Sequence, residues 1–170
     1  MKVKFLKEST VLGSDSKKLR ETLLKHTSQS IANFAANSFD QSNTLSDGSP
    51  SIFAFNKVEG YPVIIEAYSF QKSIKAYSFQ KSNNSNDPDY ELFKCNPKSD
   101  CYVAVYVIKD GNLVRLTETD TLSNSFSPSR AKTIVLTLSK YTTLKSLLDR
   151  SLSFGLKKAF EFNKNFPDLA

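Results

Sequence analysis

Tryptophan is missing from this 170-residue chain, and histidine occurs once, as His26. One histidine cannot build a His-based zinc site, and paired Cys-x-x-Cys spacing is also lacking, so no metal or other cofactor is expected. The two cysteines, Cys95 and Cys101, flank Pro97 and read as thiols of a reducing compartment. Five glycines leave no phosphate-cradling loop, and neither a nucleophile elbow nor a catalytic triad pattern occurs. Acidic residues are scattered, so no carboxylate pair can be nominated for acid–base work. The chain reads as a non-enzyme. No run approaches the roughly 18 apolar residues that span a bilayer. Residues 1–7 lack the apolar centre of a secretory signal, so the expected setting is cytoplasmic and not transmembrane.

What is present is ordinary core material and an excess of positive charge. Hydrophobic residues make up 39%, with 13 Phe and 7 Tyr, enough for residues 1–170 to fold as one domain. The net charge of +6 suits an acidic protein surface, a phosphoinositide membrane or nucleic acid, without choosing among them. Nucleic acid is the least favoured. The basic residues spread from Lys2 to Lys164, and the aromatics alternate inside strand-like runs where a core explains them.

Asp15 and Ser16 cap a helix expected to run to Phe39, with Leu19, Leu23, Ile31, Phe34 and Ala35 on its apolar side. His26 reads as a solvated residue of that helix. A polar loop over 41–50 follows, then two strands joined by a turn from Val58 to Tyr61. The heptapeptide starting at Ala67 recurs unchanged at Ala76, and residues 67–86 read as a small variable insertion. Tyr90 and Phe93 suggest a short helix. A dense β run from Cys101 turns at Asp110-Gly111 and returns through Leu113 and Val114. Residues 117–129 read as polar loop. Leu144, Leu147, Leu148, Leu152, Leu156 and Phe160 form a helical stripe interrupted at Gly155. Residues 133–138 stay open between strand and helix, because their β-branched side chains and their flanks disagree. The expected class is α+β, a mixed central sheet of about five strands flanked by helices.

The segment around Tyr90, Phe93, Pro97, Asp100, Cys101, Ala104 and Tyr106 resembles the actin-depolymerising factor/cofilin family. Ile52 and Phe53, then Val63, Ile64 and Ile65, are similar to its opening strands. Pro128, Arg130 and Lys132 are similar to the segment that leads into its long actin-contacting helix. The likeness covers residues 50–148. The family's Trp-x-Pro is missing, the stretch between Val114 and Pro128 is longer, and Ser-Gly near the start is absent. Such departures bear on actin contact more than on fold, since fold does not fix function.

The resemblance implies an actin-binding protein of filament turnover, acting on monomer or filament through a basic amphipathic helix inserted in the actin cleft. Arg130, Lys132, Lys140 and Lys145 would carry that contact. A further filament contact would use the hairpin at Lys109 and Asp110 and the last helix at Lys157 and Lys158. The same basic surfaces would suit phosphoinositide headgroups. Two alternatives stand beside this reading: a non-enzymatic adaptor or assembly subunit using a sheet edge or the last helix, and a nucleic-acid-binding domain.

Overall fold

The computed structural model describes residues 11–39, 45, 49–69, 101–120 and 125–170. Along the chain these form β1 (Val11–Gly13), α1 (Ser16–Leu23), α2 (Gln29–Phe39), β2 (Ile52–Val58), β3 (Tyr61–Ser69), β4 (Cys101–Lys109) and β5 (Asn112–Thr119). After these come α3 (Pro128–Leu138), α4 (Leu144–Ser153), β6 (Leu156–Lys158), α5 (Phe162–Asn165) and a 3₁₀ turn (Pro167–Leu169). The α+β class is as expected. The repeated heptapeptide beyond Ser69, Tyr90, Phe93 and Cys95 lie outside the described residues.

The sheet is a meander. Its order is β1-β2-β3-β4-β5-β6, and every neighbouring pair is antiparallel. The expected mixed sheet of about five strands is thus corrected to six antiparallel strands among the described residues, two of them only three residues long. The physical reason is the connections. Antiparallel neighbours can be joined by two-residue turns, whereas a parallel pair needs a long crossover. Glu59-Gly60 joins β2 to β3 and Asp110-Gly111 joins β4 to β5, each pair with positive φ at both positions. That is the twisted turn whose hand matches the strands it connects.

Helices cover both faces. On one, Leu19 and Leu23 of α1 and Ala32, Ala35 and Phe39 of α2 pack on Phe53, Phe55, Ile64 and Ile108. On the other, Ala131, Ile134, Val135 and Leu138 of α3 and Leu147 and Leu148 of α4 pack on Val63, Ile65, Val103 and Val105. Strands buried on both faces need near-continuous apolar runs, which β4 supplies and β3 supplies save for Glu66.

The single N-terminal helix is corrected to two. Leu24 ends α1, and Ser28 starts α2 afresh by accepting the Ile31 N–H on its hydroxyl at 3.3 Å. The new start resets the phase, so Phe34 points outward at 59% exposure. His26 falls in the exposed turn between the helices, its ring stacked on Phe55 with centroids 5.1 Å apart. Residues 117–119, read as loop, belong to β5. Thr119 there accepts the Val103 N–H at 2.8 Å and donates to the Val103 carbonyl at 3.1 Å, standing in for backbone.

Residues 133–138 are helix. Ser127 caps α3 by accepting the Arg130 N–H at 3.2 Å, and Pro128 occupies the first turn, where its missing donor costs nothing. Thr133 and Thr137 satisfy their hydroxyls on the Ser129 and Thr133 carbonyls, one turn back. Capping therefore outweighs β-branched propensity here. The C-terminal stripe is also corrected. Gly155, at φ 99°, stops α4, and the chain re-enters the sheet as β6. Leu156 is buried in the strand, whereas Phe160 stands 97% exposed.

Candidate interaction surface

The strand order sets two ends. Cys101 of β4 bridges Phe126 just before α3, so α3 starts at that end of the sheet. It runs toward the two hairpins, where the Asn56 side-chain amide donates to the Tyr141 carbonyl at 2.8 Å. There the Glu59 carboxylate accepts the Leu144 N–H at 2.6 Å and opens α4, which returns to the Cys101 end.

The sequence-chosen cations fall out along this path. Arg130 stands in the first turn of α3, exposed, its guanidinium 5.2 Å from the centre of the Phe154 ring. Arg150 of α4 approaches the same ring at 4.7 Å. Lys132 is half-buried and Lys140 exposed just past α3. Neither Arg130, Lys132, Lys140 nor Arg150 has an ion-pair partner among the described residues. Lys145 pairs with Asp149 at 3.3 Å, one helical turn on, a contact worth a few tenths of a kcal/mol on an exposed face. Lys109 is engaged by its neighbour Asp110 at 3.3 Å, on the hairpin at the opposite end from Arg130.

Lys157 and Lys158, expected on a final helix, lie on β6; Lys158 covers the Phe162 ring at 4.8 Å. The structure thus brings Arg130 beside Arg150 and Phe154, and separates them from Lys109, Asp110 and Lys145. Arg150 and Phe154 were missed in the sequence. Their signal was there, four residues apart at the end of an amphipathic helix.

Each α3 residue's role follows from its phase. The apolar positions Ala131, Ile134, Val135 and Leu138 face the core, which leaves Arg130, Thr133 and Leu136 outward. Leu136, at 47% exposure, is the large apolar side chain α3 offers to solvent. Two guanidiniums on one ring gain cation–π attraction of roughly 0.5–1 kcal/mol each at exposed sites. Their mutual repulsion, and the positive end of the helix dipole under Arg130, oppose that gain. An acidic group placed there would relieve both.

A second cluster lies on the α1–α2 face of the sheet. Glu66 is buried there, and the Tyr106 hydroxyl donates to its carboxylate at 3.5 Å. The Tyr68 and Tyr102 rings meet at 5.9 Å, and Arg115 lies 5.2 Å over Tyr106 while its guanidinium donates to Glu118 at 2.9 Å. Burial pushes the Tyr68 phenol from 10.0 up to about 12, with Arg115 opposing and Glu66 adding to the rise. Burial raises Tyr106 as well. Phenols held protonated donate hydrogen bonds; they do not serve as bases at neutral pH.

The sign of the pH effect follows. A raised folded-state value stabilises the fold fully below the unfolded value and loses that contribution as pH climbs through the folded one. Stability is expected to fall between pH 10.0 and about 12, and Tyr68→Phe to flatten that fall. Tyrosinate absorbance followed alongside circular dichroism checks it; folded protein in which all tyrosines ionise near the ordinary value contradicts it.

Among the described residues no cluster of His, Cys, Asp or Glu could hold a metal ion, and no helix is long and apolar enough to cross a membrane. Comparison with known protein families, with curated proteins and with solved structures returns no match.

Proposed function

We propose that this chain binds an acidic protein surface through the outer side of α3 and the Phe154 corner of α4, and that actin is the partner. The observation that carries the reading is the convergence of Arg130 and Arg150 on one aromatic ring with no carboxylate among the described residues paired to either. The ordered resemblance over residues 50–148 to the actin-depolymerising factor/cofilin family names the partner, and the helical state of residues 133–138 agrees with it. The contact is a charged one. With its apolar stripe spent on the core, α3 offers an actin cleft chiefly guanidinium and hydroxyl groups plus Leu136. Phosphoinositide headgroups would compete for the same arginines.

The wild-type chain is expected to cosediment with actin filaments or to bind actin monomers, and to do so less well as salt rises, because exposed charge pairs are screened beyond about 10 Å at 0.1 M. Absence of both interactions at low salt would remove actin and leave the adaptor or assembly reading. That second reading is favoured by a specific feature, the outer edge of β5 from Asn112 to Arg115, which no described residue pairs with.

A further inference from the structure

β6 is shorter than the strand it borders. It pairs with Thr117, Glu118 and Thr119, and the Ala159 N–H reaches the Leu116 carbonyl at 3.1 Å. From Asn112 to Arg115 no described residue pairs with the outer edge of β5. Pairs in an antiparallel ladder alternate between hydrogen-bonded and open. Lys109 and Asn112 close the two-residue hairpin as a bonded pair, so Leu113 and Arg115 aim N–H and C=O away from β4. The edge is four residues long, bounded by the hairpin turn at one end and by β6 at the other.

Beside it lies a cleft of ≈ 340 Å³, walled by Leu113, Val114 and Arg115 on one side and by Phe160, Glu161 and Asn165 on the other. Phe160 projects there almost wholly exposed, an aromatic side chain that nothing described covers. Natural proteins shield an open edge with charge, proline or a covering element, because it otherwise templates pairing. Arg115 does not shield it as a bare charge, since its guanidinium is bonded to Glu118. Glu161, with no ion-pair partner among the described residues, leaves the cleft with a surplus of negative charge in a chain of net charge +6.

We propose that the outer edge of β5 and the cleft beneath Phe160 form a strand-addition site for an extended peptide that carries apolar and basic side chains two positions apart on one face. The peptide backbone would exchange hydrogen bonds with Leu113 and Arg115. An apolar side chain would fill the cleft against Leu113 and Phe160, and a lysine or arginine two positions along, on the same face of the peptide, would meet Glu161. Main-chain bonds then supply affinity, and alternate side chains supply choice. The site is separate from the Arg130 corner, which asks for an acidic partner.

The test uses the full chain and terminally blocked heptapeptides with serine at the even positions and, along the odd ones, valine alternating with lysine, serine or glutamate. The lysine series is expected to bind at least about tenfold more tightly than the glutamate series, a ratio equal to about 1.4 kcal/mol. Amide signals of Leu113 and Arg115 should shift and become protected from exchange. Glu161→Lys, on an exposed position, should invert the preference while leaving thermal stability unchanged, and Phe160→Ala should weaken every series. Three results would overturn the proposal: equal binding by peptides with N-methylated backbone amides, a preference for glutamate, or no binding by any series. So would concentration-dependent pairing of two copies through β5, seen in sedimentation and abolished by Phe160→Ala, because the edge would then belong to a second copy.

Discussion

Phe162→Ala is expected to lower stability by about 3–5 kcal/mol, the range for emptying a fully buried aromatic site. Phe162 is 2% exposed, sits in the cluster formed by α3, α4 and one sheet face, and meets Phe166 at 5.6 Å between ring centres. A small domain has about 5–15 kcal/mol in total, so this one change removes roughly a fifth of it or more. Phe160→Ala, two residues away, removes a ring that touches solvent and should shift stability by less than about 0.5 kcal/mol. Thermal or urea unfolding of the two variants separates them. Equal losses would contradict the placement of the C-terminal segment, since a helix continuing through Gly155 would put Phe160 in the apolar stripe instead.

That contrast shows where sequence reasoning reached and where it stopped. The β4–β5 hairpin was legible because Asp-Gly readily takes positive φ twice in succession, whereas the β2–β3 turn was read from the apolar runs on either side of it. The core strands were legible as dense runs of Val, Ile, Ala and Tyr. The C-terminal stripe misled because leucines at helical spacing continue past Gly155 into Leu156, which is buried in a strand. A left-handed glycine ends a helix whatever the periodicity beyond it. Thr27-Ser28 carried the signal for a second helix start, but a run of apolar residues at spacings of three and four hid it. Threonines made 117–119 look like loop. In β5 Thr119 spends its hydroxyl on the Val103 backbone, a use that composition alone cannot separate from a solvated turn.

The candidate surface was half legible for a related reason. Arg130 could be chosen only through the resemblance of Pro128, Arg130 and Lys132 to a segment that leads into an actin-contacting helix. Its partners in space, Arg150 and Phe154, come from the next helix. Only the reversal of chain direction at Tyr141 and Glu59 brings them alongside. Lys145 belongs to the same helix but to its opposite end, bonded to Asp149. A list of cations drawn from one helical stripe therefore mixed two ends of the molecule.

Replacing Arg130 and Lys132 together by alanine is expected to weaken the proposed binding to actin by about 1–3 kcal/mol, or roughly five- to 150-fold, with the fold intact. The fold should survive because Arg130 is exposed, Lys132 is half-buried, and neither has an ion-pair partner among the described residues. Alanine is also the best helix former, and removing cations from the first turn relieves their conflict with the helix dipole. Unfolding midpoints should stay level or rise slightly. Arg150→Ala is expected to reproduce part of the loss, since its guanidinium shares the Phe154 ring, whereas Lys145→Ala should leave binding within about twofold because its charge is already met by Asp149. Cosedimentation across these variants ranks the surface. Full binding by the double variant would sink the Arg130 corner as the site. A loss on Lys145→Ala as large as that on Arg130→Ala would move the contact to the hairpin end of α4.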